Sequence, residues 1–366
     1  MKAPLKNKDG FRGPVISAGL VRKINAAGAG KINLMEVCGT HTTAIARHGI
    51  RGLIKKNVNL ISGPGCPVCV TPQNEIDDMI LLCREKNAVI ATFGDMLRVP
   101  GTASSLRAER ERGADVRVVY SPLESLQLAE ENRKKEIIFL GVGFETTAPL
   151  IAACLCDARR KRLGNYSVYC SHKLVLPAML ALLASPGVNL DGFICPGHVS
   201  AITGSEYYRP VVEKYGVPCV IAGFEPLDIL QAIYMLARQA AEGRAEVEVQ
   251  YKRAVTPEGN LISKKLMKAV FITADSYWRG LGKIAGSGFK LNRGYADFDA
   301  EKKFGIKSRP ESKNTSCRCG AVLKGAIKPF ECKLFGKKCV PDMPVGPCMV
   351  SSEGACAAYY NYGEKE

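Results

Sequence analysis

From residue 32 onward, short β-branched runs alternate with helical stripes. The runs are Ile32–Val37, Val58–Ser62, Ala88–Phe93 and Val116–Tyr120, and then Glu136–Val142, Ser167–Cys170, Phe193–Cys195 and Pro218–Ala222. Continuous apolar strands separated by helices predict parallel sheet with right-handed crossovers. The clearest helix takes Thr71 as N-cap and Pro72 as its first residue, and Ile76, Met79, Ile80 and Cys83 then recur at helical spacing. Ser121 and Glu124 read as a capping box opening a helix to about Lys135, expected to link two domains. Glu225–Ala241, with Pro226 in its first turn, carries Leu227, Leu230, Ile233, Tyr234 and Ala237 on one face.

This rhythm predicts an α/β protein: two tandem parallel-sheet, Rossmann-like domains, residues 32–130 and 131–242, flanking a cleft. Gly143-Phe144-Glu145 and Gly223-Phe224-Glu225 each follow a strand and form the nearest internal echo. Beyond Gly243 strands thin out, and Gly, Lys and Arg rise. Residues 243–366 are therefore expected to form a smaller third domain, completed by residues 1–31 with their short helix Pro14–Ile24. Lys302–Ser316 reads as an exposed connection to a Cys-rich end.

The chain has 366 residues, 46% hydrophobic and 23% charged, as expected of a globular protein of two or three domains. Its longest apolar run, Leu174–Ala184, is 11 residues and contains Pro177, whereas a membrane span takes about 20. The first residues lack an apolar export signal, so a cytoplasmic location is expected. The net charge of +16 raises nucleic acid as a partner, and residues 251–313 hold 14 Lys/Arg against 6 Asp/Glu. That stretch has no paired-Cys finger, RNP-like strand or helix-turn-helix pattern, so a solvated basic face or a dock for an acidic partner is the better reading. No phosphate-binding loop of the G-x-x-x-x-G-K-[ST] type occurs.

Candidate chemistry gathers at strand ends. Cys38-Gly39-Thr40-His41-Thr42 places a thiol where open α/β sheets keep their crevices, and the following helix N-terminus should favour the thiolate. His41 could serve as base, metal ligand or orienting partner. Ser62-Gly-Pro-Gly-Cys66-Pro-Val-Cys69 is a C-x-x-C in disulfide reach, suited to redox or metal work. Phe93–Gly101, Gly143–Pro149 and Cys195-Pro-Gly-His198-Val-Ser200 are turns of the same kind, and the five are expected on one sheet edge. Asp95, Arg98, Glu145 and His198 could equally be loop anchors. Cys83, Cys154, Cys156, Cys170 and Cys219 read as small core residues, and Cys195 is ambiguous.

Six of the 15 cysteines lie between Cys317 and Cys356. Without an export signal, clustered thiols point to metal or redox chemistry rather than structural disulfides. Their spacing lacks zinc knuckles and favours a [4Fe–4S] cluster on four thiolates. By analogy with ferredoxin–thioredoxin reductase, the ligands would be Cys317, Cys332, Cys339 and Cys356, with Cys319 and Cys348 as an exchanging pair. Other choices of four from six stay open.

Cys38-Gly-Thr-His-Thr, Gly63-Pro-Gly-Cys-Pro-Val-Cys69, Phe93-Gly-Asp-Met96, Arg98-Val-Pro-Gly101, Gly143-Phe-Glu-Thr-Thr-Ala-Pro149, Pro196-Gly-His-Val-Ser200, Gly346-Pro-Cys-Met-Val-Ser351 and Glu353-Gly-Ala-Cys356 together resemble the HypD family of hydrogenase maturation factors. The resemblance runs from about Met35 to Tyr360. It implies two α/β units around a cleft and a cluster domain, and a scaffold for the Fe(CN)2CO group of [NiFe]-hydrogenase. The implied partners are the small chaperone HypC and the cyanide donor HypE. It further implies that Cys38 binds the iron together with a HypC cysteine, that Cys66 and Cys69 form the cleft redox pair, and that His41, Glu145 and His198 assist. A stand-alone thiol–disulfide reductase is the alternative function. It would share the tail and the C-x-x-C but leave Cys38-Gly-Thr-His unexplained.

Overall fold

The fold is that of a computed structural model, which describes residues 14–27, 30–54, 56–307 and 316–363. Residues 308–315 of the expected connection lie outside them. Among the described residues there are eleven strands: β1 Ile32–Glu36, β2 Val58–Ser62, β3 Ala88–Thr92, β4 Asp115–Val118, β5 Glu136–Gly143, β6 Tyr166–His172, β7 Gly192–Pro196, β8 Cys219–Ala222, β9 Val247–Val249, β10 Phe271–Trp278 and β11 Gly282–Leu291. Nine form two parallel sheets, the first ordered β2-β1-β7-β8-β9 and the second β4-β3-β5-β6. β10 and β11 form a separate antiparallel ribbon. Every residue of β6 and β7 is buried, as strands covered on both faces require.

The α/β class and the eight sequence-read strands are present, but their membership departs from the tandem arrangement. The first sheet takes β1 and β2 from one part of the chain and β7–β9 from another, while the second takes the intervening β3–β6. Neither sheet matches residues 32–130 or 131–242. The reason is topological: alternation reveals that a strand joins a parallel sheet, not which edge of which sheet accepts it. The helix Pro122–Glu131, expected between domains, instead connects β4 to β5 within the second sheet.

The first helix, Pro14–Ala26, also lies elsewhere than expected. Ile24 packs with Ile229, Leu230 and Ile233 of the helix Pro226–Glu242, against the first sheet rather than the Cys-rich end. β9, beyond Gly243, likewise extends the first sheet.

Both sheets have a switch point where the strand order reverses, between β1 and β7 and between β3 and β5. Open α/β sheets form their crevices there. Accordingly the sequence-marked turns divide between two edges. Cys38–Thr42, Gly63–Cys69 and Gly197–Ser200 end strands of the first sheet; Phe93–Gly101 and Phe144–Pro149 end strands of the second. One apolar cluster joins these ends to the tail, including Val37, Cys69, Met96, Phe144, Val199 and Met349.

Candidate functional site

Cys38 is the N-cap of the helix Gly39–Arg47, with extended backbone at φ −148° and ψ 124°. Its thiol makes no capping hydrogen bond, but the N–H groups of His41 and Thr40 lie near enough to favour the thiolate. Two segments clamp this turn. From one side, Gly39 N–H donates to the Gly65 carbonyl at 2.7 Å and Gly63 N–H to the Glu36 carbonyl at 2.8 Å. From the other, Thr40 Oγ1 donates to Glu353 Oε1 at 2.7 Å, and Thr43 Oγ1 to the Ser352 carbonyl at 2.8 Å. Gly39 is required by closeness: a Cβ there would lie 2.4 Å from the Glu353 Cβ.

The expected helix-favoured thiolate does not hold for the protein alone. Burial pushes the Cys38 thiol up to about 12, and the Glu353 and Glu36 carboxylates push the same way against the two N–H groups. Loss of water outweighs the partial charge of a helix end. Burial likewise raises Glu36 to about 7, although Arg51 lies 3.7 Å away and Thr42 donates to it at 2.9 Å.

Cys66 is the N-cap of the short helix Pro67–Val70; its sulfur accepts from Cys69 N–H at 3.1 Å and is joined to Cys69 in a disulfide. This pair lies between the Cys38 turn and the tail. Gly65 packs backbone to backbone on Cys38, while Cys69 Sγ reaches the Pro347 carbonyl, next to Cys348, at 3.9 Å.

Cys317, Cys319, Cys332, Cys339 and Cys356 line one small cavity of about 10 Å3, with Val322, Leu334, Phe335 and Met349 as its apolar wall. Cys348 is fully buried behind it, its thiol beside those of Cys319 and Cys356. Hydrogen bonds from Cys317 and Cys348 and the nearby Arg279 cation hold the Cys319 thiol low, while those same bonds push its two partners up. Gly346 leaves the space open: a Cβ there would lie 2.2 Å from the Cys317 sulfur. Val345 N–H donates to Cys339 Sγ at 3.4 Å. Five thiols around an apolar cavity, with a backbone donor to sulfur and no room for a side chain at 346, fit an iron–sulfur cluster. Among the described residues, no three His, Cys, Asp or Glu side chains converge so as to hold a single metal ion.

The remaining candidates are dispersed. His41 is fully buried, its Nε2 bonded to the Gly223 carbonyl at 2.9 Å, and burial lowers its pKa to about 4. It packs on Phe224, which stacks on the exposed His198 at 3.9 Å between ring centroids. Glu145 accepts from Tyr207 Oη at 2.6 Å and Val175 N–H at 2.9 Å, so its hydrogen bonds tie the segment Ser205–Tyr208 to the helix Val175–Leu183 and do not reach the thiols. Burial raises it to about 7. Cys195 is fully buried with its thiol against Cys219.

Two site residues escaped the sequence reading. Glu353 clamps the Cys38 turn, and its only signal was its place in Glu353-Gly-Ala-Cys356. Arg279 is 6% exposed, donating to the Thr71 carbonyl at 2.9 Å and to Gln73 Oε1 at 3.2 Å while its charge reaches Cys319. Nothing local marked it.

The family model described as "HypD: Hydrogenase formation hypA family" matches residues 16–363. The chain is 49% identical to the hydrogenase maturation factor HypD of Azotobacter vinelandii, over 99% of this chain and 98% of that one. It is 47% identical to hydrogenase maturation factor HypD2 of Bradyrhizobium diazoefficiens, over 98% and 97%. Against HypD of Escherichia coli K12 the identity is 44%, over 92% and 90%.

Proposed function

Because the chain belongs to the HypD family of hydrogenase maturation factors, we propose that it is the scaffold on which the Fe(CN)2CO group of [NiFe]-hydrogenase is assembled. It would work with a HypC-type small chaperone and a HypE-type cyanide donor. The observation supporting this reading is the continuity of sulfur: the Cys66–Cys69 pair touches the Cys38 turn through Gly65 and the tail through Pro347.

In this mechanism Cys38 holds the ferrous cargo, sharing it with a thiolate from the chaperone. Metal binding displaces the thiol proton that burial retains in the protein alone. The clamps from Gly65 and Glu353 fix the sulfur's position, and His41 ties the helix behind it to Gly223. Freeing cyanide from a thiocyanate takes two electrons: the S–C bond breaks, sulfur leaves as a thiol and carbon as hydrogen cyanide. The reduced Cys66/Cys69 pair supplies both electrons and both protons and becomes the disulfide. Cys319 and Cys348, as a dithiol, restore it by exchange and take up the disulfide themselves. A [4Fe–4S] cluster on Cys317, Cys332, Cys339 and Cys356 would, when bound, supply single electrons for regenerating that dithiol. Glu145 and His198 handle protons at the strand ends, Glu145 being able to hold or release one near neutral pH.

The test is Cys38→Ala. Iron–cyanide infrared bands should vanish from the purified chaperone complex while the cluster absorbance of the tail persists. Bands that survive the substitution would remove Cys38 from the mechanism.

A further inference from the structure

The turn after β3 is unused by this thiol chemistry, yet it stands at the switch point of the second sheet. Gly94–Arg98 forms a single 3-10 helical segment there, and Arg98 Nη2 donates to the Val350 carbonyl at 3.2 Å. Asp95 of the same turn is near enough to Glu353 for the two carboxyl groups to repel. Since Glu353 bonds Thr40, two residues from Cys38, the turn borders the Cys38 segment.

Outward from Arg98 runs an open groove of about 520 Å3 lined by Gly94, Leu97, Arg98, Arg107, Arg110 and Glu111. Arg107 pairs with Glu111 at 3.0 Å. Among the described residues, neither Arg98 nor Arg110 has a carboxylate partner, and the nearby Glu109 is taken by Arg84 at 3.0 Å and Arg112 at 2.9 Å. Two unneutralised guanidinium groups make the groove attractive to carboxylates, which they bind in a planar fork.

Exposed apolar side chains follow β4, the strand paired with β3 whose end bears the groove. A Cβ on Gly94 would be 3.7 Å from Val118, the end of β4, and just beyond β4 Tyr120 is 90% exposed and Leu123 52%. A free small anion has no use for such side chains. Exposed Tyr beside Arg is the composition of protein–protein contacts.

We infer that Arg98, Arg107, Arg110, Tyr120 and Leu123 form the docking surface for an acidic segment of the protein that brings the second thiolate to Cys38. The identity of that protein rests on the scaffold reading; the surface rests on the groove, its unpaired arginines and their place beside Cys38.

The test is calorimetric binding of a purified HypC-type chaperone to the full chain at low and at physiological salt. Arg98→Glu with Arg110→Glu should weaken binding roughly tenfold or more and flatten its salt dependence. Arg110→Glu alone, at an exposed side chain, should shift both in the same direction, and Tyr120→Ala should weaken binding at both salts. Unchanged affinity and salt slope in folded charge-reversed chains would overturn the docking surface and leave the scaffold reading standing. No binding by the unaltered chain would overturn the scaffold reading and the docking surface together.

Discussion

Gly65 is constrained by contact rather than conformation. A Cβ there would lie 2.1 Å from the Cys38 nitrogen and 2.4 Å from the Val37 carbonyl carbon, both backbone atoms with little freedom to retreat. Gly65→Ala should therefore cost on the order of 3 kcal/mol and displace the Cys38 turn. In thermal denaturation it should stand well below Gly164→Ala, where nothing lies within 4 Å. A Gly65→Ala protein as stable as the Gly164→Ala control would show that the turn can open. At this scale the sequence located Cys38 correctly at a strand's end but not its protonation, which depends on how much water the fold removes. Glu353 was out of reach for another reason: its bond to Thr40 spans 313 residues, and no local pattern encodes a contact at that separation.

Elements with a repeating stripe were legible because periodicity is local. Ile76, Met79, Ile80 and Cys83 all face the core, as their spacing predicts. Caps were less so. Thr71 bonds back to the Pro67 carbonyl at 2.9 Å, ending one helix rather than starting the next, which begins at Gln73. Ser121 accepts from Leu123 N–H, and Glu124 from Tyr120 N–H, each one residue away from the expected box. Side-chain ties between loops and helices follow a further logic. Glu109, on the helix Leu106–Glu111, receives Arg84, Ser104 and Arg112, and these hydrogen bonds, Arg84 first, lower its pKa from 4.5 to about 2. A depressed carboxylate contributes its full stability above the unfolded value and loses it as pH falls toward the folded one. Glu109→Gln should thus cost on the order of 1–2 kcal/mol at neutral pH, after discounting for its half-exposed arginines. The gap from the unaltered protein should close between pH 4.5 and about 2. Urea titrations across that range read the difference directly; a gap independent of pH would assign the loss to packing.

For the whole molecule, the sequence supplied the class and the strands but not their pairing, because burying a strand on both faces looks the same in either sheet. The interleaving has a consequence for how the chain can be divided. A fragment of residues 32–130 holds β1–β4 yet lacks β7, which flanks β1, and β5, which flanks β3. Two incomplete sheets with unpaired inner edges cannot close a core, so this fragment should be unfolded or aggregated. A fragment of residues 84–190 contains β3–β6 and the helices between them, the complete second sheet. It forgoes the cover given by Phe271, Leu291, Tyr295 and Phe298, so it should be less stable than the intact protein. It should nevertheless unfold cooperatively in urea and show dispersed amide resonances. The opposite ranking, with 32–130 folded and 84–190 collapsed, would mean that each half of the chain carries its own sheet, and the strand order β2-β1-β7-β8-β9 could not then be correct.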